Sequence, residues 1–406
     1  MIDLGLARVG RLVQHTPQTW KAIHVAGTNG KGSICAYLSA MLSASGLTHA
    51  RFTSPHLIDR WDCIAVNGRP VSETVFRDAE EAVKQRDRDG QIGATEFELL
   101  TATAFEIFYR QKVEYGVVEV GLGGRLDATN VLKHKAVTVI AKIGLDHQSL
   151  LGSTVEEIAL QKAGILRPGV PCVVDASNQP SVLGVIEKHA RAVGADLHYA
   201  SASRVADSVA GEKLEPHQLQ NLACAHTAFC LARPGGPERT LADLLPAIRH
   251  AQWPGRLQKI DISKITGRPQ QEVLLDGAHN PQSAEVLARY VEKHLRSRGR
   301  PITWVLAATQ GKDMDGIFSL LLRPGDRVAA VRFGPVDGMP WIRPADPAAL
   351  LALAVRHGAQ EAAIRNAGDD VKEAMRWASQ VAEDGPVVIS GSLYLVSSVL
   401  RALRDS

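Results

Sequence analysis

Residues 24 to 33 read His-Val-Ala-Gly-Thr-Asn-Gly-Lys-Gly-Ser, and they constrain the fold more than any other stretch of the chain. An apolar run ends in Ile23-His24-Val25 before them, and Ile34 to Leu42 after them has helical character. Strand, glycine turn and helix in that order make a phosphate cradle. Glycines allow a tight turn, so main-chain N–H groups face an anion, and the helix N-terminus adds the positive end of its dipole. The cradle is Gly27, Thr28, Asn29, Gly30, Lys31, Gly32 and Ser33. Lys31 can reach the outer phosphates, and Ser33 can offer a hydroxyl to magnesium. The spacing departs from the common G-x-x-x-x-G-K-[ST] pattern. Val25 stands where its first glycine would be, and Gly32 separates the lysine from the hydroxyl.

A chain of 406 residues has room for two domains. Short β-branched runs alternate with helical patterns: Val117–Val120, Ala136–Ile140 and Val170–Val174 lie among helical runs near 95–112 and 154–163. A second series follows, with strands at Val273–Leu275, Thr303–Leu306, Arg327–Val331 and Val387–Ile389 and helices near 281–298, 346–356 and 368–382. This alternation predicts an α/β protein with largely parallel sheets covered on both faces. Trp253-Pro254-Gly255 breaks the pattern. The expected domains are therefore 1–252, a hinge at 253–258 and 259–406.

A net charge of +3 is too small for a nucleic-acid footprint. No apolar run approaches the roughly 20 residues of a membrane span. Five cysteines without a C-x-x-C pair indicate reduced thiols in a reducing compartment. The N-terminus has no secretory pattern. The phosphate loop begins so early that little dispensable chain is left for a mitochondrial presequence, and the expected location is the cytoplasm.

Three further clusters carry chemistry. Glu119 ends a strand and enters Gly121-Leu122-Gly123-Gly124-Arg125-Leu126-Asp127, so its carboxylate points to the crevice where α/β proteins bind ligands. The alternative is a solvated strand-end acid. Asp146-His147 sits at a similar strand end, where Glu119 with Ser33 or Ser54 can complete an oxygen-rich magnesium shell. Histidine is an unusual magnesium ligand, so a structural, hydrogen-bonded His147 stays open. Asp276-Gly277-Ala278-His279-Asn280-Pro281 is another strand end leading into a helix. Asp276 can bond a ribose hydroxyl, and Arg256 can place a cation on a terminal phosphate. A nucleotide held between domains is expected from these two features. Lys162 by itself reads as an ordinary helix lysine.

Together these segments resemble the folylpolyglutamate synthase and dihydrofolate synthase family, within the Mur ligase superfamily. The resemblance runs through His24–Ser33, Thr53–Leu57, Glu119–Asn130, Leu145–His147, Lys162–Ile165, His217-Gln218, Trp253–Leu257, Asp276–Pro281 and Gly391–Tyr394. Within the family it is to fungal dihydrofolate synthases, on Ile58–Cys63 and Asp337–Trp341. It implies a P-loop-type ATPase domain with a parallel sheet and a smaller Rossmann-like C-terminal domain. It also implies ligation of L-glutamate to 7,8-dihydropteroate with ATP and two magnesium sites, by a monomer acting on small molecules.

The resemblance further implies roles for single residues. Ser54, Glu119 and His147 would hold metal, and Lys162 would be carbamylated. Arg256, Asp276 and His279 would meet nucleotide or acyl phosphate, while His217, Gln218 and Asn221 would lie on the adenine side. The pterin would lie near Thr95, Phe97, Asp127 and Ala128, with Phe97 stacking and Asp127 accepting hydrogen bonds. Two departures stand out. Asp62-Cys63 replaces a Glu-Arg pair of many bacterial members, and Gln161 replaces a glutamate before the lysine. Polyglutamylation, both reactions together, a related ligase using another carboxylate, and a nucleotide-binding regulator without ligase activity are the competing readings.

Overall fold

The structure, a computed structural model, describes residues 4–236, 239–249, 254–269, 271–296 and 299–406. It divides into two compact units. The first holds Met1–His56 and Trp61–Gln252, the second Leu57–Arg60 and Trp253–Ser406. The short insertion Leu57–Arg60 thus packs with the C-terminal unit, although its sequence neighbours belong to the first. Leu57 joins that unit's core, and Arg404 reaches Asp59 at 2.6 Å. Trp253, named above as part of the hinge, lies outside the described residues.

The first unit is built on β1 (Lys21–Ala26), β2 (His49–Phe52), β3 (Ile64–Val66), β4 (Arg69–Pro70), β5 (Tyr115–Glu119), β6 (Lys135–Ile140), β7 (Cys172–Asp175) and β8 (Leu197–Ala200). They form one sheet in the order β4-β3-β2-β5-β1-β6-β7-β8. All pairs are parallel except the β2–β3 and β3–β4 pairs. β1 is buried in the middle, which explains its near-continuous apolar character. Its register places Val25 opposite Glu119 and Ala26 opposite Ile140. The carboxyl ends of β1, β5 and β6 therefore lie side by side. Everything that follows them in the chain gathers at one edge of the sheet.

The second unit holds β9 (Gln258–Asp261), β10 (Glu272–Leu275), β11 (Thr303–Leu306), β12 (Arg327–Ala330), β13 (Ile364–Asn366) and β14 (Val387–Ser390). The order is β13-β12-β11-β14-β10-β9, parallel except for β9. One buried carboxylate ties this unit together. Asp326, with no exposed surface, accepts from Arg296 at 2.7 and 2.5 Å, from the Ile302 and Arg323 amides, and from Trp304 Nε1. Removing it leaves the buried Trp304 indole N–H without its acceptor and Arg296 with only the Leu321 carbonyl and Glu292. Asp326→Ala is expected to cost about 3–5 kcal/mol, read as a lower urea midpoint of unfolding. An unchanged midpoint would show the network to be energetically idle.

Candidate active site

The phosphate loop joins β1 to the helix Lys31–Ala44. Its N-cap is Gly30 at φ 89°. A side chain there would be strained in the left-handed region and would also run into the Asn221 amide. Asn221, buried on the helix Pro216–Leu231, is thus set directly behind the loop. The loop is held by the segment after β6. The Thr28 and Asn29 amides donate to the Lys142 carbonyl at 2.8 and 3.1 Å. The Thr28 hydroxyl donates to the Gly144 carbonyl at 3.0 Å and accepts from its amide. That segment is braced in turn by Asn178, which accepts from the Ile143 amide and donates to the Ala141 carbonyl. Gly32 and Ser33 fall in the first turn of the helix.

Around this cradle the first unit collects charge. Lys31 Nζ donates to the Thr28 carbonyl at 3.2 Å and stands 3.8 Å from Glu119 Oε1. Glu119, buried at the end of β5, accepts from the Ser54 amide at 3.3 Å through its other oxygen. Lys162 is buried at the end of the helix Val155–Ala163, and its Nζ donates to the Gly27 carbonyl at 2.8 Å. Burial, and then the Lys31 charge, bring Lys162 down to about 7. That lysine is the clearest difference from its sequence context, which by itself reads as a solvated helix position. Lys31, Ser54, Glu119, Lys162 and the loop are therefore one constellation.

His147 stands nearby in sequence order on the segment after β6, in the left-handed region at φ 51°. Its side chain is 45% exposed and lies 3.9 Å from Asp146 Oδ2. Among the described residues no three His, Cys, Asp or Glu side chains form a metal cluster. Oxygen donors at the edge of a phosphate loop suit a hard cation that keeps waters and shares phosphate oxygens.

The predicted pterin residues sit on the two sides of the loop after β5. The Phe97 ring packs over Gly121 and stacks on Phe52 at 6.2 Å between centroids. Thr95 spends its hydroxyl on a capping box, accepting from the Glu98 amide at 3.3 Å. Asp127 is buried, and its carboxylate accepts from the Leu122 amide at 2.8 Å, the Thr129 amide at 3.0 Å and the Thr129 hydroxyl. Burial raises its pKa. Its oxygens hold the glycine loop closed, a structural duty that the sequence pattern did not reveal. Ala128 begins the buried 3-10 turn Ala128–Val131.

In the second unit, Asp276 directly follows β10 and is likewise turned inward. It accepts from the Leu257 and Ala278 amides, each at 2.8 Å. Gly277 donates to the Gly255 carbonyl at 2.8 Å, and Arg256 Nη1 donates to the same carbonyl at 3.1 Å. His279 Nδ1 bonds the Gly277 carbonyl at 2.8 Å, which fixes the ring with Nε2 as the other edge. Arg256, Asp276 and His279 thus form a second constellation by themselves. On the helix Pro216–Leu231, Gln218 caps the first turn, accepting from the Glu215 amide, and His217 adjoins it. The sequence reading passed over Asn130, Lys135 and Arg167. A lysine at an apolar-spaced position of β6, Lys135-Ala136-Val137-Thr138-Val139, was the available signal.

A family model described as the dihydrofolate synthetase C-terminal domain matches residues 258–402. The probable dihydrofolate synthetase of Schizosaccharomyces pombe is 36% identical, with 99% of each chain covered. The dihydrofolate synthetase of Saccharomyces cerevisiae is 36% identical over 98% of each. Among solved structures, the Mycobacterium tuberculosis folylpolyglutamate synthase complexed with ADP and AMPPCP superposes with a TM-score of 0.82 at 27% identity, covering 98% of this chain and 95% of that one. A bifunctional folylpolyglutamate synthase/dihydrofolate synthase with Mn, AMPPNP and L-glutamate bound gives 0.80 at 28% identity, covering 100% and 95%.

Proposed function

The chain belongs to the dihydrofolate synthase and folylpolyglutamate synthase family, and on that premise we propose that it joins L-glutamate to 7,8-dihydropteroate. The enzyme is an ADP-forming ligase that uses ATP and a divalent cation. The pteroate carboxylate attacks the γ-phosphorus of ATP, ADP leaves, and an acyl phosphate forms. The glutamate amine then adds to the acyl carbon, and phosphate departs with its bonding electrons while the amine gives up a proton. The loop amides, Lys31 and the helix N-terminus take the phosphate charge. Glu119, Ser54 and His147 are the residues that would hold magnesium, which neutralises the phosphate oxygens when bound. Asp276, Arg256 and His279 are assigned to nucleotide and acyl phosphate, and Phe97 to the pterin ring. No helix among the described residues is long and apolar enough to cross a membrane.

Cys63 carries the choice of dihydropteroate over folates. It is 2% exposed and packs with Phe52, Ile64 and Phe76 in an apolar cluster. Position 63 is thus core and itself brings no cation to the glutamate that a folate already bears, while Arg51 of β2 is drawn to Glu119 and Asp62. The neighbouring Arg77 guanidinium lies 5.8 Å over the Trp61 ring and is paired with Glu80 at 3.2 Å. A missing charged contact costs about 1.5–3 kcal/mol, roughly one to two decades in affinity. Phosphate release at saturating glutamate is therefore expected to be 10- to 100-fold more efficient, by order of magnitude, with dihydropteroate than with tetrahydrofolate. Equal efficiencies would favour the polyglutamylating reading.

A further inference from the structure

Asn130 uses every hydrogen-bonding site an amide side chain has. Its Nδ2 donates to the Arg125 carbonyl at 3.0 Å and the Gly164 carbonyl at 3.1 Å. Its Oδ1 accepts from Lys135 Nζ and Arg167 Nη2, each at 2.8 Å. Two N–H groups and two lone pairs are all an asparagine offers. The side chain is buried, so none of these bonds is made up by solvent if lost.

Besides Lys135 at the start of β6, the partners lie on two segments that the fold has reason to keep together. One is the loop that leads into Asp127 and Ala128. The other is the end of the helix Val155–Ala163, where Lys162 sits. The last carbonyls of a helix have no partners within it. Here the Lys162 and Ala163 carbonyls are met by the Ile165 and Leu166 amides, and the carbonyls of the turn that follows are met from outside: Gly164 by Asn130 and Arg167, Ile165 by Lys135 at 2.8 Å, and Leu166 by Arg167 at 2.8 Å.

The two segments also touch backbone to backbone. The Arg125 amide donates to the Gln161 carbonyl at 2.8 Å. A Cβ at Gly124 would come within 2.8 Å of the Lys162 carbonyl oxygen, and one at Gly164 would run into Arg125. Glycine at both positions permits the contact, and Asn130 ties it. Lys135 is buried with acceptors that are an amide oxygen and a main-chain carbonyl; burial and Arg167 bring it down to about 6, which suits a neutral donor.

From this geometry we infer that Asn130 is a positioning residue, which sets the Asp127–Ala128 turn and Lys162 in one rigid piece. The inference rests on the reading that Asp127–Ala128 and Lys162 serve acceptor binding and transfer. The phosphate loop has its own braces, through Lys142, Gly144 and Asn178. Loss of Asn130 therefore acts first on the acceptor and on turnover, and reaches ATP only through the single bond from Lys162 to the Gly27 carbonyl.

Two variants separate positioning from stability. Asn130→Ala removes all four bonds. Asn130→Asp keeps the acceptors facing Lys135 and Arg167 and adds a charge that the Arg167 guanidinium favours and that draws the Lys135 amine towards its protonated form. It sets oxygen against the Arg125 and Gly164 carbonyls, so the turn is released while Lys135 and Arg167 keep their acceptor. The expected result for Asn130→Asp is a lowered melting temperature with the protein still folded at the assay temperature, a KM for the acceptor raised about tenfold, kcat lowered about tenfold and a KM for ATP within about twofold. Unchanged acceptor KM and kcat in the folded Asp variant, or an equal rise in both KM values, would overturn the inference. Assays use whichever acceptor wild type turns over, dihydropteroate or tetrahydrofolate. A wrong acceptor assignment then shows in the wild type, and a wrong role for Asn130 only in the variants.

Discussion

Lys31→Ala is expected to lower kcat by about 100-fold or more while leaving the protein folded. The size follows from losing a cation aimed at charge that develops during phosphoryl transfer. The retained fold follows from position. Lys31 opens the helix Lys31–Ala44, where alanine is the most favourable residue, and its side chain is 17% exposed. Its ammonium rests on the Thr28 carbonyl and beside Glu119 at 3.8 Å. Those contacts hold the amine at the mouth of the cradle, within its own loop. Lys31→Arg is expected to fail as well, because a broad planar fork does not replace a compact ammonium on that perch. The checks are single-turnover ADP formation and circular dichroism on the same preparation. A folded Lys31→Ala enzyme with the wild-type rate would remove Lys31 from the chemistry.

Legibility in the sequence followed the range of the interaction. The phosphate loop was readable because strand, turn and helix are contiguous, and the strand and helix observed, Lys21–Ala26 and Lys31–Ala44, flank it as expected. Glu119 was readable because strand ends in parallel sheets face one edge, and its register opposite Val25 puts it there. The antiparallel strands Ile64–Val66 and Arg69–Pro70 were missed because each is too short to show a period. Asp127 illustrates the opposite failure. A carboxylate after a glycine loop looks available to a ligand, yet Leu122 and Thr129 already fill it. Its partners lie two and five residues away, but only the folded turn reveals which way the oxygens point. Asn130 depends on Gly164 and Arg167, more than thirty residues distant, and no local pattern encodes that meeting.

Lys162 is the residue for which sequence context and structure differ most, and its expected behaviour is specific. Burial and the neighbouring Lys31 charge bring its amine to about 7, against about 10.4 for a free lysine. The neutral amine is the form that adds to carbon dioxide, losing a proton and gaining a carboxylate. We expect activity, and label from carbon-13 carbon dioxide on this lysine, to rise together from pH 6 to 8. For the unmodified chain the sign of the linkage is fixed. Between about 7 and 10.4 the unfolded chain holds a proton that the folded chain has lost, so stability rises with pH across that window and is flat below it. Lys162→Ala is expected to lose about 100-fold or more in kcat, with partial recovery by acetate or formate in the vacated space. Lys162→Arg keeps a cation but cannot carry the acid, and it is expected to stay inactive. Full activity in Lys162→Arg, or wild-type activity with no label bound at pH 8, would eliminate the carbamate. The amine would then act only through its bond to the Gly27 carbonyl, as a brace for the phosphate loop.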